Sequence, residues 1–339
     1  MTGSRFIIIG ENIHASRIVK REGRHVVPGP DGRESLGFSG PDGTPRFLPI
    51  PDVVRLSKDG EKGRIKHVQA ALFAGMAGAG RDAEEGRAYL QSLARRQVDA
   101  GAAWLDLNVD EISADDAERQ AAICWLVAVI EEVAAVPLAI DSSSPAVLRS
   151  GVESVRGTAG RPLINSASLE RPEVLDFVAA AGCPVVLSAA GTGGLPSGAQ
   201  ERVINATLMV ELAVARGIAP GHLFIDPLVL PAAVRSEATA EFLAAVRELR
   251  RTLGTEIHLT GGLSNVSFGL PSRRVINDAF ISLVIEAGGD SGIIDPVAFH
   301  PNPDRGSRAW QLATDLLLGR DPWGRAFLKA HRAGELTDA

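Results

Sequence analysis

Short runs of aliphatic and β-branched residues recur along the chain, each followed by a longer stretch whose apolar positions return every three or four residues. The strand-like runs are Phe6–Ile9, Ala103–Leu107, Pro137–Ile140, Arg161–Ile164, Pro184–Leu187, His222–Ile225, Glu256–Leu259 and Gly292–Ile294. Between them lie helix-patterned segments such as GRAYLQSLARRQVDAG, DAERQAAICWLVAVIEEVAA and QERVINATLMVELAVARG. Continuous rather than alternating apolar strands suit a parallel sheet covered on both faces. Their alternation with helices points to βαβ units and an α/β fold. Eight repeats favour closure into a (β/α)8 TIM barrel over an open doubly wound sheet, although the count alone does not decide between them. The pairs Ala100–Gly101, Ala181–Gly182 and Ala287–Gly288 fit helix C-caps just ahead of the next strand.

Residues 20–63 break this rhythm. They are rich in Gly, Pro and charge and follow the first strand, which reads as a long inserted loop on the C-terminal face of a barrel. Such a loop serves as a lid or docking element, or is a loosely ordered excursion. The following IKHVQAALFAGMAG predicts an extra helix, so the insertion as a whole covers residues 20–80. The end of the chain, with GRAFLKAHRAGELTDA, predicts a terminal helix over 322–336 and a candidate homodimer contact. The rest needs no boundary, and residues 1–339 read as one domain.

Composition narrows the partners. With 35 basic against 41 acidic residues the formal charge is −6, which leaves no electrostatic footprint for nucleic acid or an anionic membrane. No apolar run approaches the ~18 residues of a membrane span, and the apolar start FIII is too short for a signal peptide. Only Cys124 and Cys183 are present, outside any Cys/His ligand pattern, so neither a disulfide framework nor a structural metal is expected. A reduced cytoplasm is the expected compartment.

The candidate chemistry lies at the strand ends, where a barrel of this kind assembles its active site. Glu11 and Asn12 follow the first strand, Asp106 and Asn108 lie on the second, and Asp141 follows the third. Asn165 follows the fourth, Asp226 the sixth, and Ser264 with Asn265 the seventh. Carboxylates and carboxamides on apolar strands are expensive unless partnered. The set holds no His, Lys or Cys. Two carboxylates can accept paired hydrogen bonds from an amino group and a ring N–H, and Asn can offer a donor and an acceptor together. Such an edge belongs to a pterin or a guanine-like ring. The plainer alternative is helix capping, which Asp141 before SSSPAVL and Asp226 before PLVLPA fit tolerably.

The stretches IIIGENI, LDLNVDE, AIDSSSPAVLRSGV, LINSAS, FIDPLVLPA and GGLSNVSFGLPSRRVIN, in that order, resemble the methyltetrahydrofolate-dependent corrinoid methyltransferases and the folate domain of cobalamin-dependent methionine synthase. The resemblance implies a pterin-binding barrel of the dihydropteroate synthase-like type. By it, Asp141, Asn165 and Asp226 bind the pterin ring, and Asn265 stands over the nitrogen that carries the methyl group and is the catalytic residue. Gly262, Ser264 and Arg273 belong to the same pocket, and Glu11, Asp106 and Asn108 would support it from behind. The implied activity moves a methyl group between the N5 of methyltetrahydrofolate and the cobalt of a corrinoid.

The chain lacks an Asp-x-His-x-x-Gly corrinoid-binding signature, so the cobalamin would arrive on a partner corrinoid protein rather than bind tightly here. It also lacks the cysteine trio that would hold zinc for homocysteine, so no metal is expected. Two alternatives stay open. A dihydropteroate synthase-like condensing enzyme shares the three-residue grip, but it would place a Lys near Asn265 and an Arg-x-His motif after the last strand, where this chain reads DPVAFHP. A non-catalytic folate-binding subunit would keep the grip without turnover. GENIH departs from the Gly-Glu-Arg-Ile-Asn of many family members and puts His14 near the site as a surface or supporting residue. GTGG at Gly191–Gly194 reads as a tight strand-to-helix connection before a phosphate cradle. Arg273 and Arg274 open a helix, where they either meet an anionic tail such as glutamate or face solvent.

Overall fold

The structure, a computed structural model, describes residues 6–336 apart from 79, 158 and 236. All eight strands are present: β1 (Ile7–His14), β2 (Trp104–Asn108), β3 (Leu138–Asp141), β4 (Leu163–Ala167), β5 (Val185–Ser188), β6 (Leu223–Asp226), β7 (His258–Leu259) and β8 (Ser291–Ile294). They form one sheet in the order β7-β6-β5-β4-β3-β2-β1-β8, and a parallel bridge joins Gly262, three residues past β7, to Ile293 of β8. The fold is an α/β, (β/α)8 barrel.

Most strands run later than the apolar pattern suggests. The ladder is made by backbone groups and continues through polar positions, with Asn108 paired to Asp141 in β2–β3 and Ser188 to Asp226 in β5–β6. Asp141 and Asp226 are therefore the last residues of their strands, not the first beyond them, and Glu11, Asn12 and His14 belong to β1. Asn165 sits in the middle of β4. β7 is only two residues long, and Asn265 lies past it in a 3-10 turn, Leu263–Ser267.

By contacts the chain divides into two units, Gly10–Leu163 and Met1–Ile9 with Ile164–Ala339. The first unit holds helices α1 (His67–Met76), α2 (Arg81–Asp99), α3 (Asp116–Glu131) and α4 (Pro145–Ser154). Its core includes Leu105, Leu107, Ile123, Leu126, Ile130, Ile140 and Leu148, all without solvent exposure.

The segment read as a loop is folded in this unit. Ile18–Lys20 pairs antiparallel with Arg64–Lys66, and Val26–Pro28, Glu34–Ser39 and Pro45–Pro49 form a three-stranded antiparallel sheet. Its two hairpin loops carry the same Pro-Asp-Gly tripeptide, at 30–32 and 41–43. Leu36 and Leu48, opposite each other in that sheet, are fully buried. The sheet docks on α2, where Phe38 meets Tyr89 edge-on at 5.2 Å and Arg46 pairs with Glu85 at 2.9 Å.

The second unit holds α5 (Val174–Ala181), α6 (Ala199–Ala215), α7 (Ala238–Leu253), α8 (Arg273–Ala287), α9 (Arg308–Leu317) and α10 (Arg325–Arg332). Phe224, Phe242, Phe280 and Phe327 anchor its core. The terminal helix is shorter than the sequence suggests. Residues 322–324 form a 3-10 turn with Trp323 at φ 63°, and Gly334 at φ 71° follows the helix end. Gly101, Gly182 and Gly288 all follow a helix with positive φ, as the Ala-Gly pairs predict. Among the described residues no helix is long and apolar enough to cross a membrane.

Candidate functional site

In the second unit, β4 carries Asn165 beside a bulge. Val186 of β5 pairs with Asn165 but Leu187 pairs with Ala167, so Ser166 is passed over and the local side-chain direction changes. Asp226 closes β6. Its Oδ1 accepts the Leu228 N–H at 2.7 Å, and the Gly262 N–H also donates to the carboxylate. This is a self-contained turn rather than a helix cap, since α7 begins only at Ala238. Leu228 takes φ 68°, a left-handed backbone that costs an L residue about 1–2 kcal/mol. Asp226 keeps part of its surface open yet is crowded by protein. Burial raises its pKa from 3.8 to about 6, against the two backbone donors and the Arg202 charge, which favour ionisation.

The turn after β7 presents Asn265, exposed, between buried Ser264 and Val266. A Cβ on Gly262 would stand 2.8 Å from Asn265 Nδ2, so only glycine lets the carboxamide lie against the chain there. Arg273 holds this turn from α8. Its Nε donates to Ser267 Oγ at 2.9 Å and its Nη2 to the Ser264 carbonyl at 2.8 Å. Ser267 Oγ donates to that carbonyl too, at 3.2 Å. Arg274 reaches His300, and both line a cavity of about 420 Å³ with Arg308, Trp310 and Glu335. The Gly191–Gly194 run closes on itself by two hydrogen bonds of 2.9 and 3.2 Å, a tight turn whose end amides face each other rather than a phosphate.

In the first unit, Asn108 and Asp141 meet across the β2–β3 ladder. Asn108 Nδ2 donates to Asp141 Oδ2 at 3.0 Å, while Asn108 Oδ1 accepts the Asp110 N–H at 3.0 Å. The helix after Asp141 is capped by Ser144, which accepts from Val147, so capping does not explain Asp141. Its loop is pinned by Asp110 instead, whose carboxylate accepts from Ser142 Oγ at 2.5 Å and from Ser143 N and Oγ, each at 2.8 Å.

His14 Nε2 lies 4.0 Å from Asp141 Oδ2. Its Nδ1 accepts the Ser16 N–H at 3.1 Å, so the neutral ring carries its proton on Nε2, toward the carboxylate. Burial lowers the His14 pKa and keeps it neutral, with the Arg17 charge adding to the effect. Glu11 and Asn12 are both held by Arg17, the former at 3.1 Å, and the Asn12 N–H donates to Gln97 Oε1 at 2.9 Å. That Gln97 oxygen would be 2.5 Å from a Cβ on Gly10, so a larger residue at the start of the GENIH run would displace the amide that holds Asn12. Asp106 is buried on β2, at 2% exposure.

Two residues of consequence escaped the sequence reading. Asp110 sits inside LDLNVDE, two residues past Asn108, where another strand-end carboxylate could have been suspected. Arg202 is wholly buried on α6. Its spacing from Asn205, Ala206 and Met209 puts it on the apolar face of that helix, and this was visible in the periodicity.

Comparison with known proteins accords with this architecture. The chain is 30% identical over 259 residues to the methylcorrinoid:tetrahydrofolate methyltransferase of Eubacterium limosum, covering 75% of this chain and 90% of that protein. It is 29% identical over 240 residues to the methionine synthase of Mycobacterium tuberculosis, of whose length it spans 20%. Solved structures of a dihydropteroate synthetase (TM-score 0.52, 20% identity, 74% of this chain and 90% of that one) and of the Xanthomonas albilineans dihydropteroate synthase with 4-aminobenzoic acid (TM-score 0.51, 21% identity, 75% and 90%) share its fold. Residues 84–295 match the family described as pterin binding enzyme, and the chain belongs to that family.

Proposed function

We propose that this protein is a methyltransferase that moves a methyl group between the N5 of methyltetrahydrofolate and the cobalt of a corrinoid carried by a separate protein. One observation carries the reading: the 30% identity to a methylcorrinoid:tetrahydrofolate methyltransferase extends over 90% of that enzyme. The pterin ligands proposed are Asp141, Asn165 and Asp226, with Asn265 at N5 and Gly262, Ser264 and Arg273 shaping the turn that presents it. Asp106, Asn108 and Glu11 take supporting roles.

The chemistry of these groups suits that substrate. A pterin presents an amino group and ring N–H donors, which ionised carboxylates accept. One oxygen of Asp226 already holds the Leu228 N–H, so the other is the one proposed to take the ring. When methyl leaves N5, the C–N electron pair stays on nitrogen, and the barrier falls if that nitrogen is hydrogen-bonded or protonated as the bond breaks. A carboxamide such as Asn265 can donate to or accept from that atom without titrating. The Arg273 bonds to Ser264 and Ser267 hold the turn in place for this. A condensing synthase of the resembled type would place a Lys where this turn carries Asn265.

The finer proposals are that the protein works in the cytoplasm, that it is a homodimer, and that its partner supplies cobalamin without transferring it to this chain. Mixing the protein with methyltetrahydrofolate and cob(I)alamin, and following the cobalt absorbance, tests the central reading. Conversion to methylcobalamin, or the reverse with methylcobalamin and tetrahydrofolate, is the expected result. Folate binding without any spectral change in either direction would favour a non-catalytic subunit.

A further inference from the structure

A fully buried arginine requires an explanation, because removing a guanidinium from water costs several kcal/mol unless its donors are met. Arg202 of α6 has no solvent exposure, and its donors converge on the corner just after Asp226. Nε donates to the Pro227 carbonyl at 2.9 Å, and Nη2 lies 3.5 Å from the Leu228 carbonyl. Nη1 stands 3.5 Å from Glu241 of α7, which also pairs with Arg235 from the loop between β6 and α7. Arg235 in turn reaches the Ser197 carbonyl at 3.2 Å, and Ser197 is held through its N–H and hydroxyl by Glu201. One helix turn on from Arg202, Asn205 donates to the Ala189 carbonyl at 3.0 Å, just past β5. The buried polar face of α6 thus ties down the chain leaving two adjacent strands.

We propose that Arg202 is a positioning residue for folate binding: it fixes the Asp226-Pro227-Leu228 corner that holds the carboxylate. This rests on the proposed role of Asp226 as a pterin ligand. The corner needs such a brace, because Leu228 sits in a left-handed backbone that a Leu does not choose for itself. If the corner relaxes, the Leu228 N–H leaves Asp226 Oδ1 and the carboxylate turns freely. Among the described residues, the charge of Arg202 acts on Asp226 from α6, with Glu201, Glu241 and Arg235 acting on Arg202 in turn, and the turn after β7 contributes the Gly262 N–H.

The test uses Arg202→Met, which fills space without charge or donors, and Arg202→Lys, which keeps the charge but loses the planar fork. Tetrahydrofolate affinity is measured by calorimetry from pH 5 to 8.5, and the Asp226 carboxyl is followed by carbon-13 NMR over the same range. In Arg202→Met the midpoint of both titrations should rise, with affinity at neutral pH down ~10-fold or more. Arg202→Lys should leave the midpoint near that of the wild type while affinity falls at every pH, because the corner loosens. Should Arg202→Met fail to fold, the Lys variant carries the test alone through that split between midpoint and affinity. Wild-type affinity and midpoint in a folded variant would overturn the proposal, and so would a loss of stability with neither changed. If the wild-type protein binds no folate, the pterin reading falls, and the NMR titration still decides whether Arg202 governs Asp226.

Discussion

Replacing Asp226 by Asn removes a charge from a crowded position while keeping an oxygen to accept the Leu228 N–H. The folded carboxyl titrates at about 6 against 3.8 for the free side chain. That gap corresponds to at most about 3 kcal/mol, and solvent reaching the open side reduces it to about 1–3 kcal/mol. The sign follows from which state binds the proton. Between pH 4 and 6 the folded chain holds a proton that the unfolded chain has released, so the native state is favoured as pH falls. Above pH 6 both forms are ionised and the native state bears the whole penalty.

Asp226→Asn should therefore be more stable than the wild type at pH 8 by about 1–3 kcal/mol. For a chain of 339 residues this is a rise in Tm of about 2–4 °C. The gain should shrink steadily as the pH is lowered to 5. Thermal melts at half-unit intervals across that range measure it, alongside tetrahydrofolate binding, which should fall ~100-fold or more at neutral pH. An equal or lower Tm for the variant at pH 8, or an offset that does not change with pH, would refute the reasoning. A more stable protein that no longer binds its ligand is the expected signature of a functional charge.

Other perturbations probe separate parts of the account. Asn265→Ala should bind methyltetrahydrofolate within about threefold of the wild type yet lose ~10²–10³ in methyl-transfer rate, as measured by single-turnover absorbance. Gly262→Ala brings a methyl group to within contact of Asn265 Nδ2, and should lower the rate by a comparable factor with the melting temperature nearly unchanged. Asp110→Ala frees Ser142 and Ser143 beside Asp141, and a weakened folate affinity with little change in the limiting rate is expected from steady-state kinetics. Leu36→Ala opens a hole in the inserted sheet and should destabilise it by about 2–5 kcal/mol in urea titrations, leaving folate affinity unaltered.

The barrel was legible because its signal is backbone-deep and repeated. Eight apolar runs separated by helical periodicity leave few alternatives, and the Ala-Gly helix ends punctuate them. The strand ends were misplaced because the apolar pattern stops where the pleated ladder does not. Asp141 and Asp226 continue the hydrogen bonding of their strands, and nothing in side-chain hydropathy records that. The inserted segment was harder to read. Glycine and proline mark both loops and hairpins, and the two Pro-Asp-Gly tripeptides spaced eleven residues apart are hairpin turns between short, half-buried strands.

Asp141, Asn165, Asp226 and Asn265 could be singled out because a polar residue at the end of an apolar strand is conspicuous. What holds them was less visible. Asp110 and Arg202 act on groups more than twenty residues along the chain, which no local spacing encodes, and Arg273 acts on Ser264 and Ser267 in the turn before its own helix. Arg202 came nearest to being readable, since a charge on the buried face of a helix is an anomaly that only a specific partner can resolve. The environment of His14 is partly local. The Ser16 amide sets its tautomer, and burial lowers its pKa.

The most direct test of the central claim follows the methyl group itself. Tetrahydrofolate carrying a carbon-13 methyl on N5 is incubated with the protein and cob(I)alamin, and the label is observed by NMR. The account predicts that the resonance moves from the N-methyl to the cobalt-methyl position with wild-type protein and stays put, on the same timescale, with Asn265→Ala. A label that remains on folate with the wild-type protein, although folate binds, would contradict it.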